Sequence, residues 1–384
     1  MIPYGRQSIS DADVQAVVEV LRSDWITQGP AIERFEAAVT DHVGAAHGVA
    51  VCNATAALHL ACLALGVGAG DRVWTSPNTF VASANCARYC GATVDFVDID
   101  ADTYNLSVTA LAAKLQAAAS RNALPKVVIP VHFAGQPCDM EGIAQLARRY
   151  GFKVIEDASH AIGADQGDGK VGNCAHSQIT VFSFHPVKII TTGEGGMLAT
   201  NDGELAASLR RLRSHGITRD IAAPAADQGA WYYQQIDLGY NYRMTDLQAA
   251  LGASQMARLG QFLERRRQLA ARYDRLLAPL PVITPRQAAY GCSAYHLYPI
   301  QVDSATTQRS RRQVFDGLRQ RQIGVNVHYI PVHLQPYYRD LGFAPGQFPE
   351  AERYYAQAIS LPLFPALTDA QQDEVVTALA AALA

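Results

Sequence analysis

From residue 50 to residue 215, short apolar runs alternate with longer segments of helical character. The apolar runs at 72–75, 93–98, 126–131, 153–156, 178–184 and 196–199 are rich in Val, Ile and Phe. Most end at polar or turn residues, which predicts strands. The segments between them, at 54–65, 81–90, 109–119, 139–150 and 204–215, are rich in helix formers and predict helices. Strand–helix alternation sustained over this length predicts an α/β fold with a mostly parallel sheet flanked by helices. Such sheets bind ligands at the carboxyl ends of their strands. A break follows: 221–229, with alanines, a proline and a glycine, reads as a loop. A long helix is expected at 248–277, bridging to a smaller α+β portion over roughly 281–384. Strands are expected there near 295–302 and 325–327, with helices at 309–321, 351–360 and the end of the chain. The expected division is a large domain over 1–250, carrying the N-terminal segment, and a small C-terminal domain over 251–384.

Composition narrows the class. The 384 residues are 49% hydrophobic and 17% charged, the profile of a compact chain with room for one large core and a smaller one. Formal net charge is -3 and no dense Lys/Arg block occurs, so neither nucleic acid nor an anionic membrane is the expected partner. No apolar stretch reaches spanning length, and the opening Met1-Ile2-Pro3-Tyr4-Gly5-Arg6-Gln7 lacks the apolar core of a secretion signal. A cytoplasmic location is expected. The seven cysteines are odd in number and contain no C-x-x-C, which favours free thiols in a reducing compartment. His328 and His333 come closest to a metal-ligand pair, but Pro331 between them argues against a helix presenting both, so no metal is expected.

Candidate chemistry gathers at the predicted strand ends. Val181-Phe182-Ser183-Phe184-His185-Pro186-Val187-Lys188 ends one apolar run and leads into Thr191-Thr192-Gly193-Glu194-Gly195-Gly196. Val154-Ile155-Glu156-Asp157-Ala158-Ser159-His160 ends another in an acid. A lysine and an aspartate at one edge of a parallel sheet are the pair that pyridoxal phosphate needs. The amine forms the Schiff base, and the carboxylate holds the pyridine nitrogen protonated. The plain alternatives are an exposed loop lysine and an aspartate that caps a helix. Glu156 is expected to point away from Asp157. His160 is within reach of the ring or its phenolic oxygen, or is an ordinary polar residue. Asn53-Ala54-Thr55-Ala56-Ala57-Leu58 reads as a phosphate-binding helix start, with Thr55 and Ser183 adding hydroxyls. Phe80 serves equally as a stacking ring or as core. The glycines 193, 195 and 196 permit close packing around a bulky ligand. Gly66–Gly70 is a turn, and 167–171 is a hairpin without the Ser or Thr of a phosphate loop.

Together these motifs resemble the sugar-nucleotide aminotransferases of the DegT/DnrJ/EryC1/StrS family, fold-type I pyridoxal-phosphate enzymes. The likeness runs from Trp25-Ile26-Thr27-Gln28-Gly29-Pro30 to Pro331-Val332-His333. It is carried by the Ser-Phe-His-x-x-Lys run with its Glu-Gly-Gly and by Gly239-Tyr240-Asn241-Tyr242-Arg243-Met244-Thr245-Asp246. The resemblance implies Lys188 as the Schiff-base lysine and Asp157 as the pyridine-nitrogen acid. His160 stands where the family usually has glutamine. Thr55, Ala56 and Ser183 match phosphate contacts. Asn241 matches an asparagine that reaches the phosphate of a neighbouring subunit, which implies a homodimer with shared sites.

Finer detail resembles the pseudaminic-acid branch, through Tyr4-Gly5-Arg6-Gln7, His160 and Phe-His-Pro-Val-Lys. That branch moves an amino group from L-glutamate to C4 of a UDP-2-acetamido-2,6-dideoxy-4-keto-hexose, giving UDP-4-amino-4,6-dideoxy-N-acetyl-β-L-altrosamine. Tyr4, Thr27, His328 and Tyr329 are candidate sugar or nucleotide contacts, and each serves equally as packing or surface. The competing expectations are another 4-keto sugar nucleotide, such as the precursor of bacillosamine or a dTDP-sugar, and a non-catalytic chain that only binds the cofactor. A dehydrogenase is disfavoured, because no G-x-G-x-x-G follows a strand.

Overall fold

The computed structural model describes residues 1–167, 169–219, 229–303 and 306–384. The loop expected at 221–229 lies outside the described residues except for Gly229. Two helices, α1 (Asp11–Leu21) and α2 (Pro30–Val43), precede strand β1 (His47–Val51) and helix α3 (Ala54–Ala64). The alternation then runs β2 (Arg72–Thr75), α4 (Ala82–Tyr89), β3 (Thr93–Phe96), α5 (Val108–Ala119), β4 (Val127–Ile129), α6 (Met140–Tyr150) and β5 (Lys153–Asp157). A small hairpin, β6 (Asp165–Gln166) and β7 (Gly169–Lys170), pairs antiparallel where a hairpin was expected. Strands β8 (Ile179–Ser183) and β9 (Gly196–Thr200) and helix α7 (Gly203–Arg213) complete the series.

The seven main strands form one sheet in the order β1-β9-β8-β5-β4-β2-β3. The run from β3 to β8 is parallel, while β9 is antiparallel to both its neighbours, β8 and β1. Strand β1 was not anticipated: a five-residue run containing Gly and Ala carries a weak strand signal. Side chains alternate between two buried faces. Ile155, Ile179, Val181 and Leu198 pack with Leu58 and Ala61 of α3. The next residues on the other face, Phe182 and Met197, pack with Phe35 and Val39 of α2. Trp74, Val128 and Val154 meet Leu111 of α5 and Ile143 of α6. Because five strands run the same way, the ends of β2, β5 and β8 share one edge.

The helix expected over 248–277 is two helices, α8 (Asp246–Met256) and α9 (Leu259–Leu277). The chain turns at Ala257–Arg258 because the end of α8 is tied to the N-terminal segment. Buried Asp13 accepts from Ser254 Oγ (2.6 Å) and Gln255 Nε2 (2.8 Å) and pairs with the Arg258 guanidinium. Beyond the turn, α9 spans two cores. Phe262 and Leu263 belong to the α2 side of the sheet, and Leu269, Tyr273 and Leu277 to a third cluster.

That third cluster surrounds an antiparallel sheet of Val282–Ile283, Tyr298–Val302 and Ala358–Leu361, covered by the helices Arg311–Gln320 and Asp369–Leu383. The helix expected over 351–360 stops at Gln357, and Ala358–Leu361 pairs instead with Tyr298–Gln301. Burial of all four residues between neighbours overrides their helical signal. The strand expected at 325–327 is a single bridge, Asn326 to Ser360. The first residues of the chain cross to this part: Ile2 bridges Ile323, and the Leu363 N–H donates to the Tyr4 carbonyl at 3.0 Å. No described helix is long and apolar enough to cross a membrane.

Candidate active site

A cavity of about 480 Å³ opens where the carboxyl ends of β2, β5 and β8 meet the start of α3. Lys188 lies on its wall. The loop from β8 to β9 is closed at its base, where the Phe184 N–H donates to the Gly195 carbonyl at 2.9 Å and the Thr192 N–H returns to Phe184 at 3.0 Å. Ile189 and Ile190 are buried and pin the loop behind Lys188. Burial pulls the Lys188 ammonium down to about 8, and the charge of Asp157 opposes that shift.

Two of the glycines after Lys188, Gly195 and Gly196, also have neighbours that leave no room for a Cβ. A Cβ on Gly196 would stand 2.6 Å from the Asn53 carbonyl and 2.7 Å from the Ala54 nitrogen. Gly196 therefore lets β9 run directly beneath the start of α3. A Cβ on Gly195 would strike Thr192 Oγ1 at 2.1 Å. The close approach is of chain to chain.

Asp157 ends β5 and lines the same cavity, 4% exposed. It opens no helix. Its Oδ1 accepts the Ser159 N–H at 3.1 Å, a local turn, and its Oδ2 accepts the Ser83 hydroxyl at 2.6 Å. Glu156 points to the other side, as strand alternation requires. It accepts from Thr180 and Ser177 hydroxyls and from His132 Nε2 at 2.8 Å. The Cys138 N–H donates to His132 Nδ1 at 2.9 Å, so Nδ1 is an acceptor and the ring proton sits on Nε2, facing Glu156.

His160 has its tautomer set in the same way. The Ala134 N–H donates to Nδ1 at 3.3 Å, leaving the proton on Nε2, which donates to the Tyr329 oxygen at 3.2 Å. Burial, then the charges of Lys188 and His328, hold His160 well below the ordinary histidine range. His296 packs against it with ring centroids 4.5 Å apart and is lowered for the same first reason. His328 is drawn down to about 3 by burial and by Lys188, and its Nδ1 lies 2.8 Å from Ser360 Oγ. His333 bonds Glu352 instead, so the two histidines serve different partners. No group of three or more potential metal ligands occurs among the described residues.

The start of α3 also lines the cavity. Asn53 caps the helix, its Oδ1 accepting the Ala56 N–H at 2.8 Å. Ala56 is thereby engaged and does not line the cavity, whereas Ala54, Thr55 and Ser183 do. The N–H groups that open a helix have no partner within it, which suits a phosphate there. Phe80, 58% exposed, and Tyr329 form an aromatic wall with centroids 6.2 Å apart, and Tyr4 and His328 stand beside them at 5.6 Å. Thr27 and Asn241 are exposed and outside the cavity lining. Thr27 bridges Thr245 and Asn241 bridges Ser214. Ser83, Thr79 and His296 also line the cavity and were not anticipated. The only sequence signal for the first two was a pair of hydroxyls four residues apart between a strand and a helix.

A lowered amine, a buried carboxylate and a helix start around one cavity of this size fit pyridoxal phosphate by the chemistry of the donor set. Comparison with known proteins agrees. The DegT/DnrJ/EryC1/StrS aminotransferase family model matches residues 7–380. The spore coat polysaccharide biosynthesis protein SpsC of Bacillus subtilis is 41% identical over 381 residues, 98% of this chain and 96% of that protein. Among solved structures, the PMP-form of the putative sugar aminotransferase Spr1654 from Streptococcus pneumoniae superposes with a TM-score of 0.90 at 31% identity, covering 100% of this chain and 99% of that one. Helicobacter pylori PseC, an aminotransferase involved in pseudaminic acid biosynthesis, superposes at 0.91 with 29% identity and the same coverage. The chain belongs to the DegT/DnrJ/EryC1/StrS aminotransferase family and is a fold-type I, pyridoxal-phosphate-dependent sugar aminotransferase.

Proposed function

We propose that the chain transfers an amino group from L-glutamate to C4 of a UDP-linked 2-acetamido-2,6-dideoxy-4-keto-hexose, giving UDP-4-amino-4,6-dideoxy-N-acetyl-β-L-altrosamine. The observation that carries this reading is the cavity that Lys188 and Asp157 share, with His160 beside them and Tyr4, His328 and Tyr329 on its wall. The likeness to PseC supports the sugar. Pyridoxal phosphate, when bound, supplies the electron sink that lets a C–H bond beside nitrogen be broken. Lys188 is assigned the tether and the proton carrier: an amine that titrates near 8 exchanges protons readily around neutrality. Asp157 is assigned the pyridine N–H, and Thr55, Ser183 and the opening N–H groups of α3 the phosphate. His160, neutral and donating to Tyr329, holds that phenol oriented toward the cavity.

Asn241 is assigned to the partner's phosphate in a homodimer with shared sites, consistent with its exposure away from its own cavity. The division into units near residue 250 and a cytoplasmic location belong to the same proposal. A second reading, another 4-keto sugar nucleotide, is supported by the 41% identity to SpsC, a spore coat polysaccharide biosynthesis protein whose name is not tied to pseudaminic acid. The test is a coupled assay with glutamate and each epimer of the UDP-4-keto sugar in turn. Conversion confined to the epimer leading to the altrosamine product supports the first reading. Preferential conversion of the bacillosamine-type precursor replaces it with the second.

A further inference from the structure

We infer that Ser83 is a positioning residue for Asp157, backed by Thr79, the two forming an ordered hydroxyl relay that sets the carboxylate's orientation. Both sit on the segment between β2 and the first turn of α4. Thr79 is 2% exposed and Ser83 1%, and both line the cavity. Ser83 Oγ donates to Asp157 Oδ2 at 2.6 Å, and Thr79 Oγ1 lies 2.8 Å from Ser83 Oγ. A hydroxyl has one proton to give. Ser83 gives its proton to the carboxylate, so Thr79 is the donor to Ser83, and the relay runs Thr79 to Ser83 to Asp157. The Phe80 carbonyl, 3.4 Å from Ser83 Oγ, is a longer competitor.

With the Ser159 N–H on Oδ1, each oxygen of Asp157 has one protein donor, and the two donors come from different segments. This fixes the plane of the carboxylate while leaving each oxygen a free lone pair. A carboxylate held in one plane presents its remaining lone pairs to a ring N–H in a fixed direction. The inference rests on Asp157 facing the cofactor's ring nitrogen.

The test uses the full chain with Ser83→Ala, Ser83→Thr and Thr79→Val. It reads three quantities: the carboxylate stretching bands of Asp157 by infrared difference spectroscopy, the dissociation constant of pyridoxal phosphate, and kcat against KM. Ser83→Ala is expected to shift the Asp157 carboxylate bands, weaken cofactor binding about tenfold and lower kcat about tenfold, with the sugar KM unchanged. Ser83→Thr restores all three. Thr79→Val moves all three in the same direction, cofactor affinity and kcat by roughly two- to threefold. Unchanged Asp157 carboxylate bands and cofactor affinity in folded Ser83→Ala overturn the inference, as does a Ser83→Thr as impaired as the alanine variant. Should Ser83→Ala not fold, Thr79→Val decides by the same readouts. Asp157→Asn that binds the cofactor as the parent does removes the premise and the inference with it. The expected shifts in a chain that aminates neither epimer support the relay while refuting the proposed substrate.

Discussion

Lys188 owes its chemistry to its surroundings. An exposed lysine has essentially no free amine at neutral pH, whereas one titrating at about 8 is roughly one-tenth unprotonated at pH 7. Only the free amine condenses with an aldehyde. Covalent uptake of pyridoxal phosphate by the cofactor-free chain should therefore quicken about tenfold per pH unit below pH 8 and level off above it. A rate still climbing beyond pH 9 would show that the amine is not desolvated. Lys188→Arg should lose borohydride-trappable cofactor and at least about a hundredfold in turnover, measured with saturating cofactor. Lys188 and Asp157 were legible in the sequence because each closes a strand-like apolar run. Ser83 and His296 were not, because their importance comes from non-local approach: Ser83 meets a carboxylate 74 positions away. Sequence spacing reports nothing of that kind.

At the scale of elements, the sequence periodicity located the strands of the parallel run and the helices between them to within a few residues. Both patterns there are long enough to be sampled several times, and both sheet faces are buried. It failed where tertiary pairing decided the matter. Strand β1 is held by β9, and 358–361 is pulled out of helical continuation by Tyr298–Gln301. The bend between α8 and α9 is set by Asp13, more than two hundred positions upstream. The contact between β9 and α3 makes a sharp prediction. Gly196→Ala introduces a Cβ into space already filled by the Asn53 and Ala54 backbone. Overpacking of this kind costs about 1–3 kcal/mol, and relief requires the start of α3 to move. Thermal melting should fall accordingly. Cofactor affinity should fall by at least about tenfold, because the displaced atoms belong to the helix start proposed to hold the phosphate. A variant with lowered melting temperature but unchanged affinity would separate the helix start from phosphate binding.

Across the whole molecule, the cavity draws on segments from both ends of the chain. Tyr4 comes from the first residues, Thr55 to Lys188 from the main sheet, and His296, His328 and Tyr329 from the C-terminal part. Helix α9 joins the two cores, and buried Arg266 on it donates to the carbonyls of His296 and Leu363. Removing residues 1–5 should therefore raise the sugar KM by about tenfold or more while sparing the cofactor's dissociation constant, since Tyr4 lines the cavity beside His328, not among the residues assigned to the cofactor. Equal losses in both constants would instead mean that the segment supports the fold as a whole.

The strap formed by Ile2 and Tyr4 against Ile323 and Leu363 also bears on how relatives can be recombined. A chimera that exchanges only the C-terminal third would pair a foreign surface with a native leader and leave the seam mismatched. Grafting the first few residues together with that third keeps the two as one inherited unit.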